Sequence, residues 1–219
     1  MDIVVCLATA LVAYLLGSIP SGYLAGRAKG IDIRSVGSGN IGATNVFRIL
    51  GKPAGIIVLV VDGLKGWVSV ALVPDLVVRL LAPGHWSESG SEYLKIIAGM
   101  SAILGHNYTC WLKFKGGKGI ATSAGVVAAL IPQAFVIAVI VWVVVCLLTR
   151  YVSVASITAA AVLPLATWAV HQSPRMIVIA AVMAALAIYK HKANIQRLMQ
   201  GTENKIGAKK TPPPTGAGS

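Results

Sequence analysis

Long apolar segments, separated by short charged connections, constrain this sequence more than any other feature. A membrane-spanning helix needs about 20 mainly apolar residues, and such segments recur along most of the 219-residue chain. Only 12% of the residues are charged, whereas a soluble domain typically has about 25%. The sequence therefore excludes a water-soluble globule and a disordered chain. It predicts an all-α, polytopic helical bundle in a membrane.

The apolar segments predict about seven transmembrane helices. The fourth segment is too short to cross about 30 Å of hydrocarbon alone, so a six-span bundle with a re-entrant fourth segment is the alternative. We expect residues 1–200 to form a single transmembrane domain. The polar, Pro- and Gly-rich residues 201–219 are predicted to form a disordered cytoplasmic tail. The segments span about 3–25, 54–73, 94–112, 119–131, 134–149, 154–170 and 176–189.

The distribution of basic residues predicts the orientation of the bundle. With seven spans, 15 of the 19 Lys and Arg residues fall on one side, 3 on the other and Lys65 within a span. Cytoplasmic connections are enriched in Lys and Arg, so the N-terminus is predicted outside and the C-terminus in the cytoplasm. The same rule accounts for the net charge of +12. We therefore predict no nucleic-acid partner, but anionic partners such as lipid headgroups or phosphorylated metabolites.

A Gly-rich connection at residues 37–48 (GSGNIGATNVFR) is a candidate anion site. Closely spaced glycines let backbone N–H groups converge on an anion, and a helix beginning near Ile41 would add its positive end. No strand precedes the G-x-G-x-x-G pattern, so it does not indicate a dinucleotide site. A flexible turn explains this composition equally well. The candidate ligands are Ser38, Gly39, Asn40, Gly42, Thr44, Asn45 and Arg48.

A second Gly-rich connection, FKGGKG at residues 114–119, places Lys115 and Lys118 beside adjacent glycines. Lys118 directly precedes a predicted helix, where a cation opposes the helix dipole. This position favours a bound anion over a role in helix stability. The G-x-x-x-x-G-K-[ST] spacing is absent, so nucleotide hydrolysis is not predicted.

Other polar residues lie within the apolar segments or at their ends. Asp62 and Lys65, three residues apart inside the second segment, form either a mutual ion pair or part of a site. No group of His, Cys or carboxylate residues has metal-ligand spacing, so we predict no metal and no cofactor. No G-x-S-x-G motif indicates a serine hydrolase. The remaining candidates, all at segment ends on the predicted cytoplasmic side, are His106, Ser153, Ser156, His191 and Asn194.

Six ordered motifs resemble those of the bacterial acyl-phosphate:glycerol-3-phosphate acyltransferases. The resemblance implies a membrane-integral enzyme that moves a fatty acyl group from acyl phosphate to the 1-hydroxyl of glycerol 3-phosphate. The products would be lysophosphatidic acid and inorganic phosphate, in the first step of phospholipid synthesis. The motifs are GSIPSG (17–22), GSGNIGATNVFR (37–48), DGLKG (62–66), GHNY with FKGGKGIAT (105–122), RYVS (150–153) and HKANIQR with GTE (191–203).

The resemblance also implies roles for individual residues. The 37–45 loop would hold the phosphoryl group of the donor through its backbone N–H groups and through Ser38, Thr44 and Asn45. Lys65 and His106 would be further substrate-binding residues. The hydroxyl would attack the acyl carbonyl directly, and its proton would pass to His191 or to the phosphate of the donor. The residues that would hold glycerol 3-phosphate are Arg48, Lys118 or Lys115, Ser153 or Ser156, His191 and Asn194.

Two other function classes fit the same features. A transporter of small phosphate esters or lipids would use the basic connections and the buried Asp62–Lys65 pair as a path. A structural membrane protein would simply follow the charge rule for cytoplasmic loops. The one-sided clustering of polar residues favours the acyltransferase, and the oligomeric state is left open.

Overall fold

The computed structural model describes residues 2–83 and 88–207, excluding the side chains of residues 88 and 89. Throughout this part the secondary structure is helical, which confirms the all-α prediction. A short 3-10 turn, Cys110–Leu112, lies between α6 and α7. The helices are α1 (Ile3–Ser18), α2 (Ser21–Arg27), α3 (Ala43–Leu50), α4 (Lys52–Ala71), α5 (Val73–Leu81), α6 (Glu88–Asn107), α7 (Ile120–Leu130), α8 (Pro132–Thr149), α9 (Val152–Ala169), α10 (Pro174–Lys190) and α11 (Lys192–Met199).

Three of the apolar stretches are broken rather than continuous helices. Pro20 separates α1 from α2, and Pro74 lies in the first turn of α5 just after α4 ends. Proline has no backbone N–H, so it interrupts the hydrogen-bonding pattern of a helix. The third break is at His191, where α10 and α11 meet at an angle of 56°. At this third break the stretch changes direction, whereas the stretches broken at Pro20 and before Pro74 each remain one candidate span.

Four helical stretches are long and apolar enough to cross a membrane, and the α10–α11 pair would be a fifth. Large apolar side chains on their outer faces are exposed, as in a protein surrounded by lipid. Helix α7 has 11 residues, about 16 Å at the helical rise per residue, and α6 is less apolar than the four. The count of seven and the orientation therefore stay predictions. The four stretches are Ile3–Arg27, Lys52–Leu81, Pro132–Thr149 and Val152–Ala169.

Glycines bring α4 and α7 into close contact. A Cβ atom at Gly66 would lie 2.2 Å from the carbonyl oxygen of Thr122, and one at Gly125 would lie 1.9 Å from that of Gly63. Small residues allow membrane helices to pack backbone against backbone in this way. Helix α1 packs against α6, and α9 packs against both α8 and α10. Between these groups of helices a cavity remains.

The segment after α11 corrects one prediction. The backbone N–H of Ile206 donates to the carbonyl of Arg150 at 2.8 Å, and the Arg150 guanidinium donates to the Ile206 carbonyl at 2.9 and 3.2 Å. Glu203 is buried. Residues 201–207 are therefore packed against the bundle, and disorder from residue 201 was wrong for this stretch. Residues 208–219 lie outside the described part of the chain.

Candidate active site

A cavity of about 410 Å³ lies between α4, α7, α8, α9 and α10, with its polar end at α3 and α11. The residues at the polar end come from five separate parts of the sequence. Twelve of the fifteen residues proposed from the sequence line this one space. They are Ser38, Asn40, Gly42, Thr44, Asn45, Arg48, His106, Lys118, Ser153, Ser156, His191 and Asn194.

Gly39, Lys65 and Lys115 do not line the cavity. Lys115 is exposed, and Gly39 forms a turn at a φ of 67°. The Lys65 ammonium lies 2.8 Å from a carboxylate oxygen of Asp62 and donates to the carbonyl of Ile19, also at 2.8 Å. This geometry favours the ion-pair interpretation of Asp62 and Lys65. Of that pair, Asp62 alone lines the cavity.

Two asparagines hold the 37–45 loop in its shape. The side-chain nitrogen of Asn45 donates to two backbone carbonyls at 3.1 Å each, and its oxygen accepts from the N–H of Ser38 at 2.9 Å. The side-chain oxygen of Asn40 accepts from the N–H of Gly42 at 2.8 Å. These bonds use both N–H donors of the Asn45 amide. In the structure Asn45 thus fixes the loop, in contrast to the phosphate contact expected for it.

The N-terminus of α3 presents free donors to the cavity. Its cap residue, Gly42, has no side chain to accept from the first turn. Within residues 2–83 and 88–207, the backbone N–H groups of Ala43 and Thr44 donate to no acceptor. Such groups at a helix start bind anions readily. Arg48, one turn further along α3, lines the same space and pairs with no carboxylate in the described chain.

The connection before α7 places Lys118. The N–H of Gly117 donates to the carbonyl of His106 at 3.0 Å, and a Cβ atom at Gly117 would lie 2.1 Å from the His106 ring nitrogen Nε2. Only glycine allows this approach, which sets the next side chain toward the cavity. The Lys118 ammonium donates to the side-chain oxygen of Asn194. Burial, and then the nearby Arg197 guanidinium, lower the pKa of Lys118 to about 8.

His191 lies at the bend between α10 and α11 and is buried. Its ring nitrogen Nδ1 lies 2.8 Å from the carbonyl oxygen of Ala187. Because a carbonyl only accepts hydrogen bonds, Nδ1 carries the hydrogen and Nε2 is the basic nitrogen of the neutral ring. His191 can therefore accept a proton or a hydroxyl hydrogen bond at Nε2.

Glu203 belongs to the polar end, although the sequence did not single it out as a site residue. Its Oε1 accepts from the Ser153 hydroxyl at 2.9 Å and from the Asn194 amide at 2.8 Å, and its Oε2 accepts from Arg197 at 2.7 Å. Burial raises the pKa of Glu203, but these hydrogen bonds outweigh it and hold that pKa below its ordinary value. Two signals were available: Glu203 closes the GTE part of the last motif, and it is the single acid in the residues that follow α11.

The opposite part of the cavity is apolar. Along α9 the lining changes from Ser153 and Ser156 to Leu163, ten residues and about 15 Å further on. The Ser156 hydroxyl oxygen accepts from the Trp142 indole at 3.1 Å, so its own hydrogen is left to donate. Side chains from the other helices complete this part, including Val127, Phe135 and Met183. The space therefore suits a molecule with an anionic head and a hydrocarbon chain.

Comparison with known proteins identifies the family. A model of the family described as glycerol-3-phosphate acyltransferase matches residues 7–201. The chain belongs to the glycerol-3-phosphate acyltransferase family. It is 46% identical over 193 residues to the glycerol-3-phosphate acyltransferase of Geotalea daltonii, covering 88% of this chain and 93% of that one. The corresponding protein of Geobacter sulfurreducens is 46% identical over 198 residues, covering 90% and 95%. The family predicted from the six motifs is thereby confirmed.

Solved structures of the glycerol-3-phosphate acyltransferase family have the same fold. The chain is similar to PlsY (YgiH), an integral membrane glycerol 3-phosphate acyltransferase, in its glycerol 3-phosphate form. The TM-score is 0.80 at 40% identity, covering 92% of this chain and 96% of that one. The lysophosphatidic acid form of PlsY gives a TM-score of 0.78 at 39% identity. With the exposed apolar helices, this likeness confirms a multi-pass membrane protein.

The charges at the polar end are unbalanced in favour of cations. Arg48, Lys118 and Arg197 line it, and the nearby carboxylates are those of Asp62 and Glu203. Asp62 already pairs with a buried lysine outside the lining, and Glu203 pairs with Arg197. Two cations are thus left for a bound anion. In this member of the glycerol-3-phosphate acyltransferase family, that surplus matches a doubly charged phosphate monoester.

Proposed function

We propose that the chain transfers a fatty acyl group from acyl phosphate to the 1-hydroxyl of glycerol 3-phosphate. The products are lysophosphatidic acid and inorganic phosphate, in the first step of phospholipid synthesis. One observation carries the proposal: a cavity whose cationic end, with Arg48 and Lys118, continues into an apolar body along α9. Both substrates are phosphorylated, and one also carries a long hydrocarbon chain.

Glycerol 3-phosphate would occupy the cationic end. Arg48 and Lys118 would bind its phosphate, because a guanidinium and an ammonium form strong charge-assisted hydrogen bonds to phosphate oxygens. Its glycerol hydroxyls would face His191, Asn194 and Ser153. The relative PlsY has a glycerol 3-phosphate form, which supports this substrate for the present chain.

The acyl phosphate would place its phosphoryl group at the start of α3. There the N–H groups of Ala43 and Thr44 and the Thr44 hydroxyl can donate to phosphoryl oxygens. The 1-hydroxyl oxygen attacks the acyl carbon, the bond from that carbon to the phosphate oxygen breaks, and phosphate leaves with the electron pair. The hydroxyl proton passes to Nε2 of His191 or to the departing phosphate. An acyl phosphate has a good leaving group, so positioning and charge stabilisation supply most of the catalysis.

We propose that the cavity opens toward the cytoplasm from a bacterial inner membrane. The polar end lies where α6 and α10 end and where α7 and α9 begin. The basic connections are adjacent to these same helix ends, which the positive-inside rule assigns to the cytoplasm. Anionic lipid headgroups on that side would be partners of the exposed basic residues.

The test of this proposal compares two acyl donors. Purified protein in lipid would receive glycerol 3-phosphate with either palmitoyl phosphate or palmitoyl-CoA. We expect phosphate and lysophosphatidic acid in equal amounts from palmitoyl phosphate alone. Lys115→Ala serves as a control for Lys118→Ala, since Lys115 is exposed away from the cavity. Activity with the CoA ester alone refutes the proposed donor, and a folded protein without product from either refutes the reaction.

A further inference from the structure

Glu203 lies at the centre of a hydrogen-bonded group that joins three parts of the chain. Its side chain is 4% exposed. It accepts from Ser153 at the start of α9 and from Asn194 and Arg197 on α11. Because the carboxylate accepts hydrogen bonds from all three side chains, it can fix their orientation. Two of those donors, Ser153 and Asn194, face the proposed glycerol 3-phosphate position.

The carboxylate determines which way the Asn194 amide points. Because a carboxylate only accepts, the NH₂ group of Asn194 must face Glu203 and the amide oxygen must face Lys118. The reverse orientation would place NH₂ against an ammonium and oxygen against a carboxylate. Ser153 is constrained in the same way. Its hydrogen goes to Glu203, so its oxygen is left to accept from a substrate hydroxyl.

We propose that Glu203 is a positioning residue for glycerol 3-phosphate, orienting Asn194 toward Lys118 and Ser153 toward a glycerol hydroxyl. The inference rests on the proposed function and names a residue that acts through others rather than on the reacting atoms. Residues 201–207 are therefore part of the working site. Their packing against α9 and α11 is what brings the carboxylate to Ser153 and Asn194.

The charge of Glu203 also acts on Lys118. Burial lowers the pKa of Lys118 first, and the surrounding cations lower it further, while Glu203 raises it. Removing this negative charge would lower the pKa of Lys118 below about 8. Asp62 lines the same cavity but is paired with Lys65. The other groups around Lys118 are Arg48 on α3, His106 on α6, Lys190 and His191 at the end of α10, and Arg197 on α11.

Glu203→Gln is the decisive variant. A glutamine oxygen facing Asn194 would put its NH₂ against the donor of Arg197, and the flipped glutamine would reverse the Asn194 amide. The first arrangement keeps the orientation of Asn194 but loses the bond to Arg197 and the negative charge beside Lys118, and the second loses the bond between Asn194 and Lys118. Each weakens the hold on the phosphate, so we expect KM for glycerol 3-phosphate to rise about tenfold or more. KM for palmitoyl phosphate should stay within about twofold, since the α3 donors are untouched. The alkaline fall of kcat/KM should begin at lower pH than in the parent.

Glu92→Gln is the matched control, because it removes the same charge from an ion pair with Arg175 remote from the cavity lining. It should leave both KM values and the pH profile unchanged. Glu203→Asp keeps the charge, so it should raise KM for glycerol 3-phosphate while leaving the alkaline fall where the parent has it. Should Glu203→Gln not fold, Glu203→Asp and its KM carry the test.

The results separate this inference from the proposed function. A parent without turnover on either donor overturns both. A parent that turns over acyl phosphate, with Glu203 variants that keep its KM for glycerol 3-phosphate, overturns the positioning role alone. The positioning role is also overturned if Glu203→Gln changes kcat and both KM values together and leaves the pH profile unchanged. That pattern indicates a merely structural residue.

Discussion

The pH dependence of glycerol 3-phosphate capture tests whether Lys118 is the cation that binds the phosphate. Burial and the neighbouring Arg197 lower the pKa of Lys118 to about 8 in the unliganded protein. The ammonium is the form that binds an anion, so binding is favoured below this pKa and lost above it. The phosphate of the substrate has a second pKa of about 6 and stays doubly charged throughout this range.

The expected magnitude follows from the fraction of charged Lys118. With a pKa of about 8, about nine-tenths of the molecules carry the charge at pH 7 and about one-tenth at pH 9. The ratio kcat/KM reports ionisations of the free enzyme, so for glycerol 3-phosphate it should fall about tenfold between these pH values. A bound phosphate raises the pKa of Lys118, so kcat at saturating substrate should hold to higher pH.

The assay measures phosphate release at low glycerol 3-phosphate and saturating palmitoyl phosphate, with spontaneous hydrolysis of the donor subtracted at each pH. Lys118→Arg supplies the control. Arginine keeps its charge beyond pH 12, so this variant should be less active at pH 7 but lack the alkaline fall. An unchanged fall in Lys118→Arg, or a flat profile in the parent, would refute the assignment.

Three further variants test the site and its supports. Arg48→Ala should abolish phosphate release while the protein stays folded and inserted, because Arg48 lines the cavity and forms no ion pair within residues 2–83 and 88–207. Near-normal activity in the purified variant would contradict its role. Gly125→Ala should destabilise the α4–α7 contact by about 1–3 kcal/mol, measured by thermal unfolding. Gly63→Ala should be tolerated, because its added Cβ would lie 3.7 Å from the nearest atom, the carbonyl oxygen of Ala121. Asp62→Asn should cost about 3–5 kcal/mol by leaving Lys65 buried without its carboxylate, and adding Lys65→Met should restore most of that stability.

Much of the fold was predictable because its dominant physical requirement is visible in composition. Apolar stretches and positive connections report directly on burial in lipid and on the charge rule for cytoplasmic loops. Residues Arg48, Lys118 and His191 could also be proposed from the sequence. Each lies beside a helix end on the side rich in basic residues, and the structure places all three around one cavity.

The remaining features depend on contacts that spacing does not encode. Composition averaged over residues 201–219 indicated disorder, and the GTE motif gave no contact for Glu203, which is held by hydrogen bonds to α9 and α11. Asn45 has the chemistry of a phosphate ligand, but its donors are used within its own loop. Lys115 and Lys118 flank the same glycines, and the close approach of Gly117 to the end of α6 decides which of them faces the cavity.

The lining of α9 indicates where the reacting bond lies in the proposed reaction. The acyl carbonyl joins the phosphate to the hydrocarbon chain, so it must sit where the lining changes from polar to apolar. On α9 this change occurs between Ser156 and Ala159, one turn apart, or about 4.5 Å along the axis. In the proposed reaction the Ser156 hydroxyl, whose oxygen accepts from Trp142, would donate its hydrogen to the carbonyl oxygen as it gains negative charge. The attacking glycerol hydroxyl would approach from the Ser153 side, one turn nearer the bound phosphate, so the polarity of a single helix face orders both substrates without a nucleophilic side chain.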